Sequence, residues 1–283
     1  MRFRLIILSF LVLWMSSGCT QNNAQKAQQA QPKALSRQQT KILSDSSTPN
    51  LASGKEQNVR SPHSLSLADL QKKYRSTFLL NGPSTKREVA LTFDDAPDDK
   101  FTPQILDVLK QEGIKATFFV VGNRAEAHPD IMKRMVQEGH AIGNHSYNHA
   151  NLPKLADARF RRQIQKTDEL IRQYTGYTPN IVRPPYGNIS EEQIQWLTSQ
   201  RKKVINWNVD SLDWKGLSSE EVQTNILAHI RPGSIILQHS GGGAGEDLSG
   251  TVKCLPNIIK TLKNNGMKLV TVLELLDLEP TAE

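Results

Sequence analysis

Two adjacent carboxylates, Asp94 and Asp95, close the apolar run Val89-Ala90-Leu91 in Thr92-Phe93-Asp94-Asp95. Two imidazoles follow further on in His145-Ser146-Tyr147-Asn148-His149. One carboxylate with two imidazoles is a ligand set for a divalent metal that keeps positions open for water and substrate. The second carboxylate is then free to act as a base on that water. Each piece has a plainer reading on its own. An Asp pair after a strand is often a turn or a helix cap, and a His-x-x-x-His pair is often a surface pair. If the histidine segment is helical, i and i+4 side chains point the same way. Together the pieces read as a metal-assisted hydrolase.

Three further strings carry polar groups in unusual company. Arg183-Pro184-Pro185-Tyr186-Gly187 is a stiffened turn whose glycine permits a positive φ or a close approach. Such a loop can present a backbone N–H to a developing oxyanion, or it is a rigid turn with a surface arginine. Asp210-Ser211-Leu212-Asp213-Trp214 offers two carboxylates and an aromatic wall. Leu237-Gln238-His239 ends a very apolar strand, and a carboxylate could orient and charge its histidine.

The elements that must position these groups alternate along the chain. Strands are expected at Val89–Phe93, Ala116–Val121, Ala141–Asn144, Ile181–Val182, Lys203–Val209, Ser234–Gln238 and Lys268–Thr271. Helices are expected near Pro103–Glu112, Pro129–Glu138, Asp157–Thr175, Ser190–Gln200, Ser219–Ile230 and Val252–Asn265. Ser190-x-x-Gln193 and Ser218-x-x-Glu221 have the form of capping boxes. Gly113, Gly139, Gly176 and Gly266 stand as stop signals. This alternation predicts an α/β domain with about seven parallel strands, open or closed into a barrel. The active site then lies at the C-terminal strand ends, where all five polar strings fall.

The five strings, in this order, resemble the motifs of polysaccharide deacetylases of the NodB-homology type, carbohydrate esterase family 4. The resemblance covers roughly Glu88 to Leu276. It implies a distorted (β/α) barrel, one divalent metal (zinc foremost, with cobalt or nickel as alternatives) and removal of acetyl groups from glycans. It assigns Asp95, His145 and His149 to the metal and Asp94 as the base on the attacking water. The metal and the backbone N–H of Tyr186 would hold the oxyanion, and His239 would protonate the leaving amine. Arg183 would pair with Asp94 and Asp213 with His239, while Leu237 and Trp214 would wall the acetyl pocket. Two positions depart from the pattern. Ala96 replaces a usual glycine before Pro97, and Ser240 replaces a frequent aspartate after the final histidine.

The N-terminal region reads differently. Arg2 and Arg4 precede an apolar stretch, Leu5 to Met15, too short to span a bilayer well, and Ser16-Ser17-Gly18 precede Cys19. This predicts a lipoprotein-type signal peptide over 1–18, with Cys19 lipidated. A polar, Gln- and Ser-rich linker is expected over 19–64, a disordered tether ahead of the deacetylase domain at 65–283. The expected location is exported and lipid-anchored to the outer face of the cell membrane, facing the wall. Cys254 is then the one remaining cysteine, so no disulfide framework is possible. The net charge is +7, of which Arg2 and Arg4 supply two. The basic residues are scattered among acidic ones, which speaks against nucleic acid, and no protein partner is implied. The substrate expected is an acetylated cell-wall glycan, peptidoglycan- or chitin-like. The rivals are an O-acetyl esterase on acetylated xylan and a non-catalytic glycan-binding lipoprotein.

Overall fold

The computed structural model describes residues 47–54, 56 and 67–281. The signal peptide expected over 1–18 and Cys19 lie outside the described residues. The sheet has nine parallel strands: β1 (Phe78–Leu79), β2 (Glu88–Ala96), β3 (Thr117–Val120), β4 (Ala141–Asn144), β5 (Ile181–Val182), β6 (Lys203–Ile205), β7 (Val209–Asp210), β8 (Ile235–His239) and β9 (Lys268–Val270). Their order is β1-β6-β5-β4-β3-β2-β8-β7, with β9 also paired to β2. The sheet curls into a barrel that hydrogen bonds do not close. Two differences from the expected seven strands follow from this geometry. The short β1, hidden before the periodic region, pairs with β6. The run expected over Lys203–Val209 is two strands, because its halves pair at opposite ends of the sheet, β6 with β5 and β7 with β8. Residues 206–208 bridge the gap covalently.

Alternation along β2 separates two environments. Val89, Leu91 and Phe93 face outward into the larger core, against the helices Phe101–Glu112, Ser219–Leu227 and Ser249–Asn264. Ala90 shares the inner core with Phe119, Ile181, Ile205, Ile235 and Val270, and the short helix Val272–Leu275 adds Val272 and Leu275 to it. Asp94, two and four residues beyond Thr92 and Ala90, lies on the same inner face. The pattern that makes β2 a strand therefore also aims its carboxylate inward.

Most helix ends follow their sequence signals, but the helix expected to reach Ile230 stops at Leu227 and the one expected from Val252 begins at Ser249. The Ser190–Gln193 and Ser218–Glu221 capping boxes form, and Thr271 with Glu274 makes a third that was not anticipated. Gly113 and Gly176 end their helices in the left-handed conformation. Cys254 is buried on the inner side of Ser249–Asn264 as a small apolar residue, and burial pushes its thiol up to about 12. Among the described residues no helix is long and apolar enough to cross a membrane. The linker expected over 19–64 is not free throughout. Residues 47–54 lie against the domain, with the Ala52 N–H donating to the Asn148 carbonyl at 2.9 Å.

Candidate active site

Every predicted site residue within the described region sits at the C-terminal end of the sheet. The register of β2 against β8 pairs Thr92 with Leu237 and Asp94 with His239. The base and acid candidates are thus set at one level on neighbouring strands by backbone hydrogen bonding alone. The histidine segment is not helical, contrary to the condition under which i, i+4 spacing would converge the rings. It is a loop after β4 in which Ser146 and His149 take positive φ, 66° and 60°. The Asn144 side chain accepts from the Ser146 N–H at 2.8 Å and stabilises this turn. Asp95, not Ala96, takes the positive φ in the first motif, 63°, so the alanine substitution leaves the backbone conformation accessible.

Asp95, His145 and His149 are all buried, and one ligand atom from each lies within 4.8 Å of the others. Asp95 Oδ1 is 3.3 Å from His149 Nε2 and 3.6 Å from His145 Nε2. The Nδ1 atom of His145 meets the Arg183 carbonyl at 2.7 Å. A carbonyl only accepts, so Nδ1 carries a hydrogen, and in the neutral ring the lone pair is then on Nε2. Burial, with His145 and Arg124 nearby, lowers the His149 pKa well below its ordinary 6.5, so that ring is neutral. Burial likewise raises the Asp95 carboxyl, against the pull of Arg124 and the histidines. Asp95 Oδ1 has no hydrogen-bond partner, although it is buried. Acceptor atoms that converge without a hydrogen between them fit a cation, and an N/N/O donor set fits zinc, cobalt or nickel.

Asp94 is held apart from this set. Its Oδ1 accepts from Arg183 Nη1 at 2.7 Å, leaving Oδ2 free of that bond and 3.7 Å from His145 Nε2. Arg183 is wholly buried and also donates to the Thr92 hydroxyl (2.7 Å) and the Ile205 and Asn206 carbonyls (3.0 and 3.3 Å). Its guanidinium lies 4.1 Å from the Phe119 ring centroid. Burial lowers its pKa, and the Asp94 charge opposes that fall.

His239 is held from the other side of the site. Its Nδ1 lies 2.7 Å from Asp213 Oδ1, and its backbone N–H donates to Asp213 Oδ2 at 2.9 Å. The Thr251 hydroxyl adds a third bond to that carboxylate, at 2.7 Å. Burial alone would make His239 less basic, but Asp213, then Asp95 and Asp94, outweigh it and push the imidazole up to about 10. Burial also raises the Asp213 carboxyl, yet His239 and these hydrogen bonds bring it below its ordinary range. Leu237 is buried beside Thr92, and Trp214 is buried in the turn after β7. Tyr186 adopts φ 61° and ψ 9° in a short 3-10 turn, followed by Gly187 at φ 70°. Ser240, in place of the frequent aspartate, directs its N–H to the Asp94 carbonyl at 2.9 Å.

Two groups in contact with the site escaped the sequence reading. Arg124, 1% exposed, donates to three backbone carbonyls, those of Asp95 (2.8 Å), Gly242 (2.7 Å) and Pro49 (3.1 Å). It ties the loops after β2 and β8 to the N-terminal segment, and no spacing in the sequence signals it. The Tyr186 hydroxyl lies 3.0 Å from His149 Nδ1, a side-chain role beyond the backbone one expected.

Comparison with known proteins agrees with this geometry. The family model for polysaccharide deacetylase matches residues 81–204. A peptidoglycan-N-acetylglucosamine deacetylase of Bacillus cereus is 49% identical over 195 residues, covering 69% of this chain and 70% of that protein. The peptidoglycan-N-acetylmuramic acid deacetylase PdaC of Bacillus subtilis is 38% identical over 199 residues, which is 70% of this chain but 40% of PdaC. The crystal structure of the Bc1960 peptidoglycan N-acetylglucosamine deacetylase superposes with a TM-score of 0.71 at 46% identity, covering 73% of this chain and 96% of that one. With the curled parallel sheet shared as well, this chain belongs to the polysaccharide deacetylase family.

Proposed function

We propose that this enzyme removes N-acetyl groups from amino sugars of peptidoglycan, in a metal-dependent hydrolysis. The observation that carries the reading is one buried cluster, Asp95, His145 and His149, flanked by Asp94 and His239 on paired positions of adjacent strands. Those three residues would hold a divalent cation, zinc first and cobalt or nickel as alternatives, and the chemistry it would supply is that of a Lewis acid for the acetyl carbonyl. The chain's own groups do the rest. Asp94 Oδ2 takes a proton from the attacking water, while Arg183 holds the other oxygen in place. The backbone N–H of Tyr186, a residue held in the left-handed conformation, would serve as the donor to the oxyanion. His239, kept protonated by Asp213, gives its Nε2 proton to the leaving nitrogen as the C–N bond breaks, releasing acetate and a free amine. Leu237 and Trp214 wall the space for the acetyl methyl.

The names of the relatives favour N-acetyl groups of peptidoglycan over O-acetyl groups of xylan. A pure binding role would leave the Asp94–Arg183 and His239–Asp213 pairs without a use. We further propose that residues 1–18 direct export, that Cys19 carries lipid at the cell membrane, and that the deacetylase domain begins near residue 65. The test is parallel assay of acetate and free-amine release from peptidoglycan, chitin oligomers and acetylxylan. Acetate from acetylxylan with no amine from peptidoglycan would overturn the N-deacetylase reading.

A further inference from the structure

Residues 47–54 cross the catalytic end of the barrel as a strap. The Ser47 and Thr48 hydroxyls donate to Asp99 at 2.8 and 3.1 Å, and Thr48 Oγ1 lies 2.8 Å from His128 Nε2. The Pro49 carbonyl accepts from Arg124, the Ala52 N–H bonds the Asn148 carbonyl, and Ser53 Oγ accepts from the Asn151 N–H at 2.9 Å. At its end the Gly54 carbonyl accepts from the Tyr186 hydroxyl at 2.9 Å. The strap lies before residue 81, where the family match begins.

That last bond has a chemical consequence. A phenol has one hydrogen to donate. With it committed to Gly54, the Tyr186 oxygen can only accept from His149 Nδ1, 3.0 Å away. Nδ1 must then carry the ring proton, and Nε2 presents its lone pair toward Asp95 Oδ1, 3.3 Å away. Without the Gly54 carbonyl the hydroxyl is free to donate to Nδ1 instead. The ring would then favour the tautomer with hydrogen on Nε2, which cannot bind a cation. His145 needs no such help, because its own Nδ1 meets a backbone carbonyl from the core of the domain. The strap reaches a second ligand through Arg124, which bonds the Pro49 and Asp95 carbonyls together.

We propose that the N-terminal strap is part of the metal centre: through Tyr186 it sets the tautomer of His149, and so the affinity of the site for its cation. Tyr186 and the strap are positioning groups here, and the inference rests on the metal-site reading given above. Groups that fix the second nitrogen of a ligating histidine typically change metal affinity by about 10- to 100-fold.

The test uses the full chain. Ser47→Ala, Thr48→Ala and Ala52→Pro together remove docking bonds without touching Tyr186 or a ligand. Zinc affinity, measured by competition with a chromophoric chelator, should weaken by about 10- to 100-fold. Tyr186→Phe should weaken it comparably, and the combined variant should lose clearly less than the sum of the two, since the Gly54 contact acts through that one hydroxyl while the Arg124 route adds a smaller part. In the metal-free protein, 15N shifts of the His149 ring should report Nδ1–H in the parent and a shift toward Nε2–H in the strap variant. Parental zinc affinity in the folded strap variant, or fully additive losses, would overturn the inference. If the strap variant does not fold, parental zinc affinity in Tyr186→Phe overturns it alone. His145→Ala separates the two levels: unchanged zinc affinity there defeats the metal site itself, and the strap inference with it.

Discussion

Replacing Asp213 with asparagine removes one charge from beneath His239 and keeps the shape of the side chain. In the parent the carboxylate meets Nδ1 at 2.7 Å in a buried setting, and the imidazole is pushed up to about 10. At that separation the attraction is about 6 kcal/mol even with an effective dielectric of about 20. One pKa unit corresponds to about 1.36 kcal/mol, so half of that attraction moves the imidazole down by roughly two units. Asparagine can still accept a hydrogen bond, which is why half rather than all is taken. The basic limb of the kcat/KM profile on an N-acetylglucosamine oligomer should therefore move down by roughly two pH units. The loss of activity should reach about ten-fold near pH 9 and shrink toward neutrality, because only the protonated acid is depleted. Stability follows the same pair. His239 has a raised pKa, so its contribution is complete below its ordinary 6.5 and lost as pH rises through about 10. Asp213 has a lowered pKa, so its contribution is lost as pH falls through its folded value. The stability gap between parent and Asp213→Asn should be widest between those limits and close above about pH 10. A basic limb that stays in place, with a uniform loss of kcat at every pH, would refute the assignment of His239 as an acid tuned by Asp213.

The neighbours Asp94 and Asp95 should fail in different ways. Asp95→Asn should lose metal by elemental analysis. Asp94→Asn should keep it while kcat falls about a hundred- to ten-thousand-fold, and near-normal turnover would remove Asp94 as the base. Gly143→Ala tests packing inside the barrel. A Cβ there would stand 2.6 Å from Phe119 Cδ1 and 3.2 Å from Ile181 Cδ1, so about 1–3 kcal/mol of destabilisation is expected. An unchanged melting temperature would show that Phe119 can move aside. Cys19→Ser should release the protein from the membrane or leave its precursor unprocessed, and unchanged fractionation and processing would defeat the lipidation proposal.

The place of the candidate site was legible because its motifs are local. Asp94 and Asp95 end an alternating strand, Arg183 stands in a proline-stiffened turn, and His239 ends an apolar run. Parallel strands bring such ends to one side whatever their order, so period and punctuation were enough to foresee a shared site. The capping boxes at Ser190 and Ser218 were legible for the same reason, since their partners lie three residues away. Pairings between distant segments were not. Whether Lys203–Val209 is one strand or two depends on which neighbours its halves meet across the barrel. The convergence of His145 and His149 comes from two left-handed residues in a loop, not from helical spacing. Arg124 gains its place from three carbonyls that the fold brings to it. The segment at 47–54 has the polar composition of a free linker. Its ordered contacts arise because Asp99, Asn148, Asn151 and Tyr186 already stand in the folded domain, presenting donors and acceptors that a short polar strand can satisfy. Composition determines whether a segment can bury its own apolar surface. Only the tertiary structure decides whether another part of the chain offers it partners.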